Sequence, residues 1–272
     1  DVYKRQRHDW YEMTFDTVDD ERVPGSLALA LGGVLARIKG RNGYATGWQI
    51  ESDGETIATV HGHSARAGEV HVTVTSDACD RVVPTLRTLY PTHRVSRADS
   101  AVDLVADFEE LDAFVLEFAE ARGLTHSIIR NSEGGATRYV GSPRSETRMR
   151  LYKKTEELRQ KHPESNQQVQ DGICRFELVA RPGKRAVKER LSHMSAEDVW
   201  GLSQWSADLA SQLIGLDAER VATHFRRPTD WTRALHFLGI QYEPMMQRRI
   251  DAVGLESVRS EVLAALGLDR PL

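Results

Sequence analysis

The alternation of apolar and polar positions divides the chain into a strand-rich part, reaching about residue 181, and a helical remainder. Period-two alternation with β-branched and aromatic residues predicts strands at 10–17 (WYEMTFDT), 44–51, 55–61 and 69–75, and further strands at 94–103, 136–142, 147–153 and 173–181. The SDG turn at 52–54 joins two of them as a hairpin. Helical spacing is clearest at 107–122, where Phe108, Leu111, Phe114, Val115 and Phe118 recur at three- and four-residue steps before the Arg122-Gly123 stop. Helices are also predicted at 25–38 and 79–90. After residue 184 the strand signal ends. Segments 195–214 and 217–225 read as amphipathic helices starting at Ser195 and Asp217, Pro228 and Pro244 punctuate the chain beyond them, and 255–266 is a last helix. The expected architecture is α+β: a largely antiparallel sheet with helices packed on one face, followed by a helical C-terminal region. The domain boundary falls between 9–190 and 191–272.

Composition narrows the classes. With 40% apolar residues and 20 glycines the chain can bury an ordinary core. Its longest apolar run, LALALGGVLA at 27–36, is too short and glycine-broken for a membrane helix, so no membrane partner is expected. Cys79 and Cys174 have neither a CxxC nor a zinc-like spacing, which points away from a disulfide framework and toward a cytoplasmic location. The opening DVYKRQRH has no basic-then-apolar signal pattern and is assigned no function.

Charge changes the picture more. The net of −4 conceals a basic middle: residues 1–124 carry 13 Lys and Arg against 21 Asp and Glu, residues 125–190 carry 15 against 8, and residues 191–272 carry 8 against 11. A basic segment of this kind can attract a phosphate backbone, and it can equally be a solvated surface balanced by acids elsewhere.

Splitting three strands into their two faces locates candidate chemistry, because successive side chains point to opposite sides. In 93–103 one face holds Val95, Arg97, Asp99, Ala101 and Asp103, and the other holds Ser96, Ala98, Ser100 and Val102, small enough to lie beneath helices. In 147–154 Arg148, Arg150, Tyr152 and Lys154 oppose Met149 and Leu151, and in 174–181 Arg175, Glu177, Val179 and Arg181 oppose Phe176, Leu178 and Ala180. If the apolar faces share one helical layer, the acids, the arginines and Tyr152 converge on the other. Antiparallel sheets also carry polar outer faces with no function. Carboxylates without an accompanying cysteine suit a hard divalent ion such as Mg²⁺ or Mn²⁺. Tyr152 is a poor nucleophile at its ordinary pKa near 10, and the flanking Arg148, Arg150 and Lys154 are expected to favour its phenolate.

These segments, taken in order, resemble the replication initiation factor family, the Rep_trans-type initiators and relaxases of rolling-circle plasmids, phages and integrative elements. VHVTVTSDACDRV at 70–82 is similar to the family's strand and small-Cys turn, and RVSRADSAVD to its Arg-x-Asp-x-Ala-x-Asp strand. TRYVGSPRSETRMRLYKKTEE at 137–157 is similar to its Tyr-x-Gly-Ser-Arg and Arg-x-Tyr-x-Lys signature, and RFELVAR to its Arg-x-Glu-Leu-x-x-Arg strand. The match spans about 70–185 and departs from the pattern at LYKK and at the proline of SPRS. The resemblance implies a metal-dependent DNA nicking-closing endonuclease in 9–190, working through a 5′-phosphotyrosyl intermediate. Tyr152 would be the nucleophile and Lys154 its catalytic partner. Asp99 and Glu177, then Asp103, would hold Mg²⁺ or Mn²⁺, and Arg97, Arg144, Arg148, Arg150, Lys153, Arg175 and Arg181 would contact DNA. Origin DNA is the implied partner, with a homodimer and a host helicase as further ones, and the tail from 191 would pack, oligomerise or bind an origin feature. A non-catalytic DNA-binding regulator and a water-using metal-dependent nuclease remain as alternatives. The HGH sequence, with His61 and His63 expected on one side of a strand end, is similar to the histidine-hydrophobe-histidine metal motif of nicking endonucleases except at Gly62; two surface histidines is the plainer reading.

Overall fold

The computed structural model describes residues 6–17, 19–64, 68–161, 169–215, 242 and 245–265. They belong to two compact units, one reaching Ala222 and one starting at Thr223. The first is built on ten strands: β1 (Arg7–Asp16), β2 (Val34–Lys39), β3 (Tyr44–Ser52), β4 (Glu55–Ser64), β5 (Glu69–Thr75), β6 (Arg94–Val105), β7 (His126–Arg130), β8 (Ala136–Val140), β9 (Thr147–Lys153) and β10 (Ile173–Ala180). They form one sheet in the order β2-β3-β4-β5-β1-β6-β10-β9-β8-β7, with neighbours antiparallel throughout.

One face of this sheet is apolar along most of its width. Tyr11, Met13 and Phe15 of β1, Val70, Val72 and Val74 of β5, Met149 and Leu151 of β9, and Phe176 and Leu178 of β10 are all buried in a single core. Each such side chain contributes roughly 1.5–3 kcal/mol by leaving water. Helices α1 (Val23–Leu31), α2 (Ala78–Leu89), α3 (Phe108–Ala121) and α5 (Arg185–Leu191), the 3₁₀ turn Asp198–Leu202 and α6 (Gln204–Ile214) supply the other half of that core. Of the small residues expected beneath helices, Ala98, Ser100 and Val102 are buried there, with the Trp200 indole N–H donating to Ser100 Oγ at 2.9 Å, whereas a bulge at Ser96 turns Ser96 to the polar face and Val95 into the core, the reverse of the expectation. A remaining helix, α4 (Lys154–Lys161), continues directly from β9 and contributes to clefts on the polar face.

The helix expected at 25–38 ends at Leu31. Gly32 takes a left-handed φ of 64° and Gly33 N–H bonds back to Ala28 O at 2.8 Å, which closes the helix and frees β2 to join the sheet. A Cβ on Gly33 would fall 2.6 Å from Ile50 Cγ2 and 2.9 Å from the Glu51 carbonyl oxygen, so the residue beside β3 must be glycine. Strand β7, outermost at one edge and mostly exposed, is not predicted by its pattern. Helix α3 begins as predicted, with Asp107 accepting from the N–H groups of Glu109 and Glu110 at 2.8 and 3.0 Å. Phe108, Val115 and Phe118 are buried while Phe114 is exposed, and Asp112 takes its place on the buried side, bonded to Arg138 of β8 at 2.6 and 2.8 Å.

Beyond β10 the described residues form helices and turns. The single helix expected at 195–214 is interrupted at Ser203, which caps α6; Ser195 and Asp198 cap the preceding turn reciprocally, at 2.8 and 3.1 Å. The helix expected at 217–225 lies outside the described residues. In the second unit 245–253 is helical and α7 (Leu255–Ala265) matches the last predicted helix.

Candidate active site on the polar face of the sheet

Four adjacent strands, β9, β10, β6 and β1, present their polar faces together. Their register sets Tyr152 beside Arg175, Arg150 beside Glu177, Arg175 beside Asp103 and Trp10 beside Asp99. The result is a cleft of about 760 Å³ lined by Trp10, Arg97, Arg150, Tyr152, Lys154 and Glu177 among others.

Two buried carboxylates lie at its base, of which Glu177 alone reaches its lining. Asp99 is completely buried and accepts from Arg97 Nε at 2.9 and 3.1 Å; the same guanidinium lies over the Trp10 ring, 4.1 Å from its centroid. Glu177, 1% exposed, contacts the Arg150 guanidinium, which is also 3.9 Å from Asp99 Oδ2. Burial raises the Glu177 pKa to about 7; Asp99 adds to the rise and Arg150 opposes it. The Arg150 guanidinium already bridges the two acids, and burial beside Asp99 still holds Glu177 toward its neutral form.

The Tyr152 hydroxyl donates to Glu177 Oε2 at 3.4 Å. Its pKa lies above the ordinary value, first because the phenol is buried and then because Glu177 is negative; Arg175 opposes the shift. The expectation that flanking cations favour the phenolate is therefore reversed. Those cations are engaged elsewhere: Arg150 with Glu177, Lys154 with Glu157 at 2.7 Å, and Arg148 over the Tyr139 ring at 4.1 Å.

The remaining sequence-selected residues divide between this cleft, its neighbour and the surface. Asp103 lines the neighbouring cleft and accepts from Arg175 at 2.5 and 2.8 Å, while Asp9 accepts from the same guanidinium at 2.8 Å. Arg175 is thus buried among acids rather than open to a ligand. Arg181, just past β10, lines the main cleft. Lys153 alternates with Tyr152, and its ammonium lies 3.6 Å from Glu109 and 5.2 Å from the centroid of Phe108, both on α3. Arg144 is exposed in the β8–β9 turn and lines neither cleft.

His61 and His63 do not share a side. His63 adopts a left-handed φ of 52°, which turns it to Thr46 (2.8 Å) and Trp48, whereas His61 faces Tyr44 and His71. Among the described residues no three His, Cys, Asp or Glu side chains gather as a metal site. Asp99 and Glu177 do fit a divalent ion of the kind that takes two carboxylates and completes its shell with water and substrate phosphate. The paired burial of two acids, one driven toward its neutral form, is the observation that supports this.

Sequence reasoning missed Trp10, Asp9 and Tyr139. The two-face split applied to β1 would have found Trp10. Asp9 could not be found that way, since it is the extra residue of a bulge between the pairs His8–Ser100 and Trp10–Asp99.

Fold and cleft together define a class: a broad antiparallel sheet with helices on one face and, on the other, a tyrosine beside two buried carboxylates and several arginines. The chain is similar in structure to the rolling circle replication initiator protein from Geobacillus stearothermophilus, with a TM-score of 0.54 and 18% identity over 79% of this chain and 98% of that one. At that identity the likeness is one of fold. No family model matches the chain, and no curated protein does.

Proposed function

We propose that this chain is a rolling-circle replication initiator, a DNA nicking-closing enzyme that opens an origin strand of a plasmid, phage or integrative element through Tyr152. The observation that carries the reading is the hydrogen bond from the Tyr152 hydroxyl to Glu177, on a sheet face where Asp99 lies alongside. The neighbour's printed role as an initiator supports it.

In this reading Tyr152 Oη attacks the phosphorus as its proton passes to the Glu177 carboxylate, which its hydroxyl already faces at 3.4 Å. The bond from phosphorus to the 3′-oxygen breaks. The 5′-phosphate stays on the tyrosine, and the 3′-oxygen departs and is protonated as a hydroxyl that can prime synthesis. Reversal rejoins the strand. Asp99 and Glu177 would hold a divalent ion, Mg²⁺ or Mn²⁺, which would supply Lewis-acid stabilisation of the phosphate. Lys154, 5.8 Å from the Tyr152 ring centroid, and Arg150 add positive charge, and Arg97 holds Asp99 in place. Arg181, Arg148 and the exposed Arg144 offer contacts to the DNA backbone, and Asp103 and Arg175 act as structural supports.

Single-stranded oligonucleotides tiled across the DNA flanking the chain's own gene, incubated with Mn²⁺, should give a denaturant-resistant protein–DNA adduct on one tile. No adduct on any tile would overturn the proposal. The raised Tyr152 pKa favours one second reading, a DNA-binding regulator without chemistry; for that, Tyr152→Phe would leave biological activity unchanged.

A further inference from the structure

We infer that a second cleft on the same sheet face, walled by Trp10, Tyr44, His61 and His71, holds an unstacked base of single-stranded DNA a few nucleotides from the scissile phosphate. This rests on the proposed function above and names how the substrate is held. The cleft encloses about 500 Å³, room for a nucleotide. It adjoins the Tyr152 cleft directly, because Trp10 and Thr75 line both. Asp99 on β6 and His61 on β4 are three strand spacings apart, about 14 Å, and offset by four residues along the strands, about 13 Å, so roughly 19 Å separates them. A single strand crossing the sheet covers that span in a few nucleotides.

The chemistry of the walls selects a base over a phosphate. Tyr44 lies 6.1 Å from His61 and 5.8 Å from His71, ring centroid to centroid, with the planes tilted and not stacked. Thr14 and Thr73 hydroxyls hold His71 by its two nitrogens at 3.3 and 3.2 Å. His61, 8% exposed, has a buried Nε2 with no hydrogen-bond partner, a group that costs free energy until a ligand edge meets it. Burial lowers the pKa of both histidines, which keeps them neutral, and the wall also carries the acidic residue Glu12. Apart from Arg41 at the exposed rim the walls offer a phosphate no positive charge, whereas a base gains aromatic faces and hydroxyls. Arg41 and Asn42, exposed among the lining residues, are placed for the backbone entering the site.

The test uses the full chain and short single-stranded oligo-dT carrying one 5-iododeoxyuridine, moved position by position. Irradiation and peptide mass spectrometry should place one position's crosslink on a peptide containing Trp10, Tyr44, His61 or His71. His61→Ala should weaken oligo-dT binding roughly tenfold, as loss of one base platform does. Crosslinks confined to β8 and β9 peptides, with unchanged affinity in His61→Ala, would overturn this pocket and leave the proposed function standing. Absence of any single-strand binding by the wild-type chain would overturn both. Because the crosslink is read on the wild-type protein, misfolding of the variant cannot mask the result.

Discussion

Tyr152 and Glu177 sit on adjacent strands with the phenol O–H pointing at Oε2 over 3.4 Å; burial disfavours ionisation of both, and the carboxylate's charge disfavours that of the phenol further. The pair therefore rests with a proton to hand over and an acceptor able to take it only when nearby charge is balanced. Tyr152→Phe should abolish the covalent adduct while leaving single-strand affinity within about fivefold, since the lost hydrogen bond is long and contributes no more than ~1 kcal/mol. Glu177→Gln should keep the adduct but slow its formation by about 10²–10⁴-fold, the usual reach of a general base. Gel assay of adduct against time separates the two.

The same glutamate makes a stability prediction. Its folded pKa of about 7 exceeds the ordinary 4.5, so between those values the native state binds more protons than the unfolded one. Stability from this group is complete below pH 4.5 and is lost as pH rises to about 7. Urea titrations should show wild type losing roughly 2–4 kcal/mol relative to Glu177→Gln across that window. Mn²⁺ should recover part of the loss at the upper end.

His8 works in the opposite direction. It is buried, with Arg87 nearby, and its pKa falls to about 4 from 6.5. A depressed histidine is neutral in the native state where the unfolded state is charged, so stability is lost as pH falls from 6.5 toward 4. The two windows overlap, and wild type should show a flat profile between them. His8→Leu should expose the Glu177 slope, falling as pH rises, and Glu177→Gln the His8 slope, rising with pH. Identical profiles for the two variants would contradict both assignments.

Legibility in the sequence depends on period. Tyr152, Asp99 and Glu177 can be found because alternation assigns faces without knowledge of the fold, and one shared helical layer then forces the polar faces together. Ionisation cannot be found that way: the arginines flanking Tyr152 look free in sequence, and only the register shows Arg150 beside Glu177 and Arg175 beside Asp103. The end of α1 at Leu31 is hidden because Gly32 and Gly33 sit in a run of otherwise helix-compatible residues. His63 defeats alternation outright, since its left-handed backbone reverses the side to which the side chain points.

The buried pair Asp112 and Arg138 tests how α3 is tied to the sheet. Asp112→Ala leaves the Arg138 guanidinium, only 6% exposed, without its main partner. The expected cost is about 3–5 kcal/mol. Replacing both by apolar residues of similar volume should recover most of it, as read by thermal unfolding, because the remaining site is then a packed interface with no orphaned charge.

Asp99 and Asp103 belong to one face of β6, two steps of alternation apart with Ala101 between them, yet they should fail differently. Asp103 is held by Arg175, and its pKa is lowered even though burial alone would raise it, so the ion pair is the use the fold makes of it. Asp103→Asn should loosen Arg175, cost stability by about 1–3 kcal/mol, and leave the Mn²⁺ concentration for half-maximal adduct unchanged. Asp99→Asn removes charge beside Glu177, should lower that residue's pKa toward the ordinary carboxylate range, and should raise the required Mn²⁺ at least about tenfold, the effect of losing a ligand. Adduct yield against Mn²⁺ concentration for both variants decides whether the second carboxylate of the site is Asp99; equal shifts in the two would assign the ion to all three acids.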